Sequence, residues 1–215
     1  RDLASETFPV LLGCANISIG VKSLLSMLES FLPAPNDLNP ITAKTEDDKD
    51  IVLKTKNDEP FGALVFKTMV DQYSGVTNIF KIYSGTIKVG DDIYCPQTGR
   101  TEKVAQLTIP CGKKQIEVNE LAAGDIGSIS KLTGVVTNMT LCSTKTPLTF
   151  DVIPFPTAVL YRAFKAKNKA DEDKIGQALN RIMAEDPTIS VTRNAEVRQQ
   201  LLGGQGTGHL NYVFD

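Results

Sequence analysis

The stretch FKIYSGTIKVGDDIY, from Phe80 to Tyr94, decides the fold, because short β-rich runs alternate in it with turn residues. Many short strands at close spacing, with almost no helical periodicity, are typical of a small antiparallel barrel or sandwich. Residues 60–147 are therefore predicted to form a β-barrel. Further runs of the same kind are FGALVFKTMV, VTNIFKIY, Lys103–Leu107, Gln115–Val118 and Gly127–Leu132.

The residues before this region have other patterns. The apolar run from Pro9 to Ala15 predicts a buried strand, and the apolar side chains between Val21 and Phe31 recur with helical spacing before Pro33. We expect residues 1–35 to be the end of an α/β domain in a chain cut from a longer one. Residues 36–59 are polar and carry both charge signs, which predicts a linker, and IVLK (Ile51 to Lys54) allows a short strand within it.

The last part of the chain, residues 148–215, has the order strand, helix, strand, strand, helix. TAVLYRAF predicts the first strand, a helix face follows from Ile175 to Met183, and TISVT and VRQQLL predict two more strands. This order is most of a ferredoxin-like α+β unit, whose last strand would lie beyond Asp215. The predicted fold class is multidomain, mostly β plus α+β.

Composition narrows the class of protein. The chain has 215 residues, of which 41% are hydrophobic and 22% charged, as is usual for soluble globular domains. It has no apolar run of the roughly 20 residues that cross a bilayer, and no signal peptide, so we expect a cytoplasmic protein. Four cysteines, Cys14, Cys95, Cys111 and Cys142, lack the spacing of a zinc site and are expected to be reduced and mostly buried. His209 is the one histidine, which excludes a multi-histidine metal site.

Net charge does not indicate a free-standing nucleic-acid binder. Residues 60–150 carry 9 basic and 7 acidic side chains, a net charge of +2, whereas residues 1–59 carry 6 and 10, a net charge of −4. Residues 151–215 carry 8 of each sign. Any contact with RNA must therefore be local or assisted by a partner.

The string NKAD, from Asn168 to Asp171, fits the NKxD signature with which GTP-binding proteins select guanine. A phosphate-binding loop of the form GxxxxGK[ST] does not occur in the sequence, so no such loop would position the β- and γ-phosphates. NKAD is therefore interpreted as a helix-start turn, with Asn168 as a capping residue and acidic residues in the first helical turn.

Several motifs together resemble elongation factor G. FPVLLGCANISIGVKSLLSMLESFLPAP is similar to the end of that family's GTPase domain, and DEPFGALVFK to the start of its second domain. FKIYSGTIKVGDDIY and AGDIGSI look like barrel motifs of the second domain, and KNKADEDKIGQALNRIMAEDPTISV like the first helix and next strand of the third. The resemblance covers nearly the whole chain in the family's order.

The resemblance implies a GTP-dependent translation factor that promotes movement of tRNA and mRNA through the ribosome. It implies contacts with small-subunit RNA and protein, indirect contact with tRNA and mRNA, a monomeric state, and GTP with magnesium as cofactors of the parent protein. The 215-residue chain itself is expected to hold no cofactor and to catalyse nothing. The alternatives are an elongation factor G paralogue of the ribosome-protection or ribosome-recycling type, and a non-GTPase module that binds RNA or protein.

Two groups of site residues follow from the resemblance. Gly13, Cys14 and Ala15 match the loop whose backbone amides complete the family's guanine pocket, with Cys14 where the family has serine. Lys165, Lys167 and Lys169 alternate, so an extended chain would place them on one face. That face is either a solvated edge or a contact with ribosomal phosphate, for which the three lysines are the candidates.

The glycine-rich string GGQGTGH, from Gly203 to His209, matches a strand-to-helix turn of the family's third domain. Thr207 stands where the family has an acidic residue, and Gly208 where it has a leucine. A glycine at that position should weaken the start of the helix and its packing. His209 is interpreted as a core or turn residue rather than a catalytic one.

Overall fold

The computed structural model describes residues 8–71, 75–112, 114–166, 168, 171–194 and 199–214. Three α-helices within these residues are α1 (Val21–Phe31), α2 (Glu172–Glu185) and α3 (Thr207–Phe214), and short 3-10 turns span Ala15–Ile17 and Pro35–Asp37. The strands are β1 (Ile41–Thr45), β2 (Asp50–Leu53), β3 (Gly62–Asp71), β4 (Gly75–Ser84), β5 (Thr86–Lys88), β6 (Asp92–Cys95), β7 (Arg100–Lys103), β8 (Leu107–Cys111), β9 (Lys114–Val118), β10 (Glu120–Ala122), β11 (Ile126–Ser130), β12 (Thr140–Ser143), β13 (Leu148–Phe150), β14 (Leu160–Phe164), β15 (Ser190–Asn194) and β16 (Gln199–Gly204).

Strands β3 to β12 form the barrel region. Eight of them pair in the order β7-β6-β12-β3-β4-β11-β8-β9, and β5 pairs with β10 in a separate antiparallel ribbon. Together they enclose one hydrophobic core, in which Phe80, Ile82, Leu107 and Leu141 are fully buried. The mostly β fold predicted from the sequence is therefore confirmed.

One predicted strand of the barrel is divided in two. The run Lys103–Leu107 is split between the end of β7 and the start of β8. Val104 pairs its backbone with the turn that precedes β6 instead: its N–H donates to the Asp91 carbonyl at 2.9 Å, and its carbonyl accepts the Gly90 N–H at 2.8 Å.

The segment predicted as a linker contains two strands. β1 pairs antiparallel with β2 and also with β13, so the residues that lead into the barrel lie beside those that leave it. Ala43, Leu53 and Phe150 of this small sheet form a second core with Leu64 and Cys142 on the outside of the barrel. The predicted short strand at residues 51–54 corresponds to β2. Strand β1 was not predicted, because its apolar residues pack only when β1 pairs with β13, about 100 residues away in the sequence.

The C-terminal unit has the predicted order β14, α2, β15, β16, α3. Its sheet has the strand order β14-β16-β15 with both pairings antiparallel, as in most of a ferredoxin-like unit. Ile189, Leu202 and Leu210 form its buried core, against which Leu179 and Met183 of α2 pack. The predicted turn at Gly203–His209 is present, and α3 is helical from Thr207 despite Gly208.

The N-terminal segment differs from the expectation in one respect. Helix α1 forms as predicted, but residues 9–13 form no strand and their side chains are exposed. Cys14 makes only an isolated antiparallel bridge to Ile19. A strand needs a neighbour that takes up its backbone hydrogen bonds, and the described residues place none beside this run.

Candidate functional site

The loop around Gly13–Ala15 is held by its own backbone. The Cys14 N–H donates to the Ile19 carbonyl at 2.9 Å, and the Ile19 N–H donates to the Cys14 carbonyl at 3.1 Å. Gly20 closes the loop with a φ of 78°, and a Cβ there would collide with the Leu12 carbonyl oxygen. Because these bonds come from the backbone, the loop keeps its shape without a hydroxyl at residue 14. Its role as part of a guanine pocket stays a prediction.

Apolar side chains around this loop face solvent. Phe8 is 85% exposed, Leu12 91% and Leu25 60%. No residue of α1 is buried, although one of its faces is almost wholly apolar. Val21 and Leu28 on this face are 38% and 37% exposed, so the described residues cover the face only in part. The loop residues 13–15 are themselves exposed.

The NKAD turn uses its carboxylate locally. The Asn168 amide donates to Asp171 Oδ2 at 3.2 Å, and Lys174 Nζ lies 3.8 Å from Asp171 Oδ1. The helix begins after Asp171, with Glu172 and Asp173 in its first turn as predicted. The capping role predicted for Asn168 is wrong, because Asp171 holds the N-cap position without a side-chain cap. The string DKIG at residues 173–176 has the DxxG spacing of a phosphate-sensing loop but is helical throughout.

Of the three candidate lysines, the structure describes Lys165, which is exposed just after β14. Lys167 and Lys169 lie outside the described residues. Lys165 lines a cleft of about 770 Å³ between α2 and the β14–β16–β15 sheet. Its lining is mixed: the apolar Phe164 and Leu179 contribute to it together with Arg193.

The C-terminal end of α2 makes contacts in two directions. Glu185 Oε1 accepts the N–H of Val70 in β3 at 2.6 Å, which joins the C-terminal unit to the barrel. Asp186 Oδ2 lies 3.0 Å from His209 Nε2, and Asp186 Oδ1 accepts the Thr188 hydroxyl at 2.6 Å and its N–H at 2.8 Å. Burial raises the pKa of Asp186, but the bonds from Thr188 and the nearby His209 outweigh it, so this pKa lies below its ordinary value.

Two regions of the chain match known families. Residues 60–144 match the family described as Elongation factor G domain 2, and residues 155–215 match Elongation Factor G, domain III. The chain is elongation factor G-like. The two matches coincide with the barrel and with the ferredoxin-like unit that the fold displays.

A crystal structure of a protein from Thermus thermophilus is similar to most of the elongation factor G-like chain. The two share 29% sequence identity with a TM-score of 0.73. The match covers 91% of this chain and 27% of the solved one. The chain thus spans about a quarter of the relative it matches.

The four cysteines of the elongation factor G-like chain are free, and they divide into two pairs. Cys95 and Cys142 are buried as expected, and burial raises the pKa of Cys142 to about 11, so its thiol stays protonated and unreactive. Cys14 and Cys111 are exposed, which corrects the expectation that most are buried. Among the described residues, no three His, Cys, Asp or Glu side chains are grouped to hold a metal ion, and no helix is long and apolar enough to cross a membrane.

Sequence reasoning missed the contact between Glu185 and Val70. The two residues are 115 positions apart, and a carboxylate at a helix end carries no signal for a partner in a distant strand. His209, interpreted from the sequence as a core or turn residue, lies in the first turn of α3, where Nδ1 accepts the Gln205 N–H at 3.2 Å. With Nδ1 accepting this N–H, Nε2 is the ring nitrogen that donates to Asp186, 3.0 Å away.

Proposed function

We propose that the chain is part of a translation elongation factor that promotes GTP-dependent movement of tRNA and mRNA through the ribosome. In this proposal the chain supplies ribosome-contacting and coupling domains and takes no part in GTP hydrolysis. The observation that carries it is the presence in one chain of both the domain 2 barrel and the domain III unit of elongation factor G.

The geometry supports the proposal that a GTPase domain of the parent protein, and not this chain, binds and hydrolyses GTP. The NKAD carboxylate is engaged by Asn168 and Lys174, and the residues of the loop at Gly13–Ala15 are exposed. The exposed apolar face of α1 is suited to packing against the rest of such a domain. GTP and magnesium would accordingly bind to the parent protein, at most touching Gly13, Cys14 and Ala15 of this chain.

The lysines after β14 are the proposed contacts with the ribosome. Lysine is a compact cation on a long stem, and it meets phosphate as a point charge. Lys165 is exposed, and the sequence continues with Lys167 and Lys169 two and four residues on. Such contacts position a protein on RNA without reading its sequence, and they weaken as salt rises.

The test is co-sedimentation of the chain with purified small ribosomal subunits over a salt series. We expect binding that weakens with salt and is competed by a full-length elongation factor G. The variant Lys165→Glu with Lys167→Glu and Lys169→Glu should weaken binding on the order of tenfold at low salt, because three cations are replaced by anions. A matched control carries the same three changes at the exposed Lys49, Lys54 and Lys56.

Three results would contradict this proposal. The absence of binding to subunits at micromolar concentration would remove the ribosomal role of the chain. An equal loss in the control variant would mean that net charge, rather than the lysines after β14, determines binding. Calorimetry with GTP should give no binding heat, and micromolar affinity would place a nucleotide site in this chain after all.

A further inference from the structure

The end of α2 carries two consecutive carboxylates that face different parts of the molecule. Glu185 is the last residue of the helix and contacts the barrel, while Asp186 follows it and contacts the start of α3. Neighbouring Cα atoms are about 3.8 Å apart, so one residue cannot shift far without moving the other. This arrangement places a barrel contact and an α3 contact on one short piece of backbone.

The barrel side of this arrangement uses the unpaired end of β3. β12 pairs with β3 only from Gly62 to Leu64, and the Val65 N–H donates to the Met139 carbonyl just before β12. Beyond Val65, no strand of the described residues pairs with β3 on that side. Val70 lies near the far end of β3, where it is opposite Val76 of β4. Its N–H is taken by the Glu185 carboxylate at 2.6 Å, a charge-assisted bond.

On the α3 side, hydrogen bonds connect the start of the helix to the segment that joins the two domains. His209 bonds Asp186 through Nε2 and the Gln205 N–H through Nδ1. The Gln205 side chain in turn donates to the carbonyls of Pro156 at 3.3 Å and Thr157 at 2.9 Å, which lie between the barrel and β14. A continuous set of hydrogen bonds therefore runs from the interdomain connection, through the start of α3, to the end of α2 that contacts the barrel.

We propose that Glu185, Asp186 and His209 form a junction that couples the position of α3 to the docking of the C-terminal unit on the barrel. Displacing α3 shifts Asp186 and so weakens the Glu185 contact with Val70. Releasing the barrel contact loosens α3 by the same amount, because coupling between two equilibria is reciprocal. Glu185 and His209 are positioning residues in this proposal.

The experiment measures the interdomain distance in the free chain by single-molecule energy transfer. Dyes are attached to Thr101→Cys in β7 and Gln177→Cys in α2, both exposed, after Cys14 and Cys111 are changed to serine. The unaltered junction should give one dominant docked distance. Glu185→Ala should lower the ratio of docked to undocked molecules by roughly threefold to tenfold, because a charge-assisted bond at an exposed site is lost.

Two further variants separate a junction from a general effect of charge. Glu185→Gln keeps an oxygen that accepts the Val70 N–H and should retain most of the docked population. Asp173→Asn removes a carboxylate from the exposed start of the same helix and should leave the docked population unchanged.

The coupling itself is tested at His209. His209→Leu removes both polar contacts at similar size and should lower the docked ratio by about twofold or more, but not in the Glu185→Ala background, since contacts that act as a unit are non-additive. If His209→Leu loses helical circular dichroism, Asp186→Asn makes the same test. An unchanged distance distribution in Glu185→Ala, or additive effects of the two changes, would overturn the proposal.

Discussion

The barrel and the N-terminal segment bury their apolar residues to opposite extents. In the barrel, Phe80 and Ile82 are fully inaccessible, because strands on all sides cover them. From Phe8 to Leu38 no residue is buried, although the segment is rich in leucine. Regular structure is therefore no guide to stability in this segment: α1 is a well-formed helix, but its apolar side chains are less buried than those of the barrel and stabilise the fold less.

The largest expected effect tests this contrast directly. Phe80→Ala should lower the free energy of unfolding of the barrel by about 3–5 kcal/mol, because it leaves a cavity in a closely packed core. Leu25→Ala, at a 60% exposed position of α1, should change stability by less than about 0.5 kcal/mol. Urea unfolding followed by NMR at barrel resonances measures both. A loss of several kcal/mol in Leu25→Ala would mean that α1 is covered in solution.

A smaller effect of the same kind compares two glycines. A Cβ at Gly127 in β11 would collide with the buried Leu121 side chain and lie 3.3 Å from Phe80, so Gly127→Ala should destabilise the barrel by about 1–3 kcal/mol. Gly176 in α2 has nothing within 4 Å of its Cβ position, so Gly176→Ala should stabilise the helix by about 0.5–1 kcal/mol. Thermal unfolding of the two variants should shift in opposite directions, and a shift of both in one direction would contradict the packing described.

The smallest effect concerns Asp186, which is between the two extremes of burial. Its pKa is lower in the folded chain, so its stabilising contribution is complete above the ordinary value of 3.8 and is lost as pH falls through the folded value. Asp186→Asn should lower the free energy of unfolding at pH 7 by less than about 1 kcal/mol, since solvent screens a partly exposed carboxylate. The difference from the unaltered chain should shrink below pH of about 4. A difference that grows toward acid pH would contradict the assigned sign.

The features predictable from the sequence were those with a local cause. Helices α1 and α2 show their apolar faces in the spacing of leucines and isoleucines, and the barrel strands show theirs between clear turn residues. Family motifs then assigned the barrel and the ferredoxin-like unit to the second and third domains of elongation factor G. The structure and the matches to domains 2 and III agree with both.

The features that were missed depend on distant partners. The apolar run at residues 9–13 has the pattern of a strand, yet it stays irregular, because the described part of the chain places no strand beside it. β1 and β2 surround a polar turn, and the apolar pattern at Ile41, Ala43, Ile51 and Leu53 is a hairpin signal that the charged composition obscured. Glu185 gave no signal at all, because its partner is a backbone N–H in another domain.

The small sheet of β1, β2 and β13 determines which part of this chain would first resist a pulling force. The residue pairs Ala43–Phe150 and Thr45–Leu148 hold the segment before the barrel beside the segment after it. Force applied to the two flanking segments therefore acts first on the β1–β13 pair and not on the barrel. Tension between α1 and the C-terminal unit would pull on these paired ends before it reached any barrel strand. Since the two pulled ends of the antiparallel pair lie together, their hydrogen bonds would open one after another, at low force. The load would reach the barrel strands only after this pair has opened.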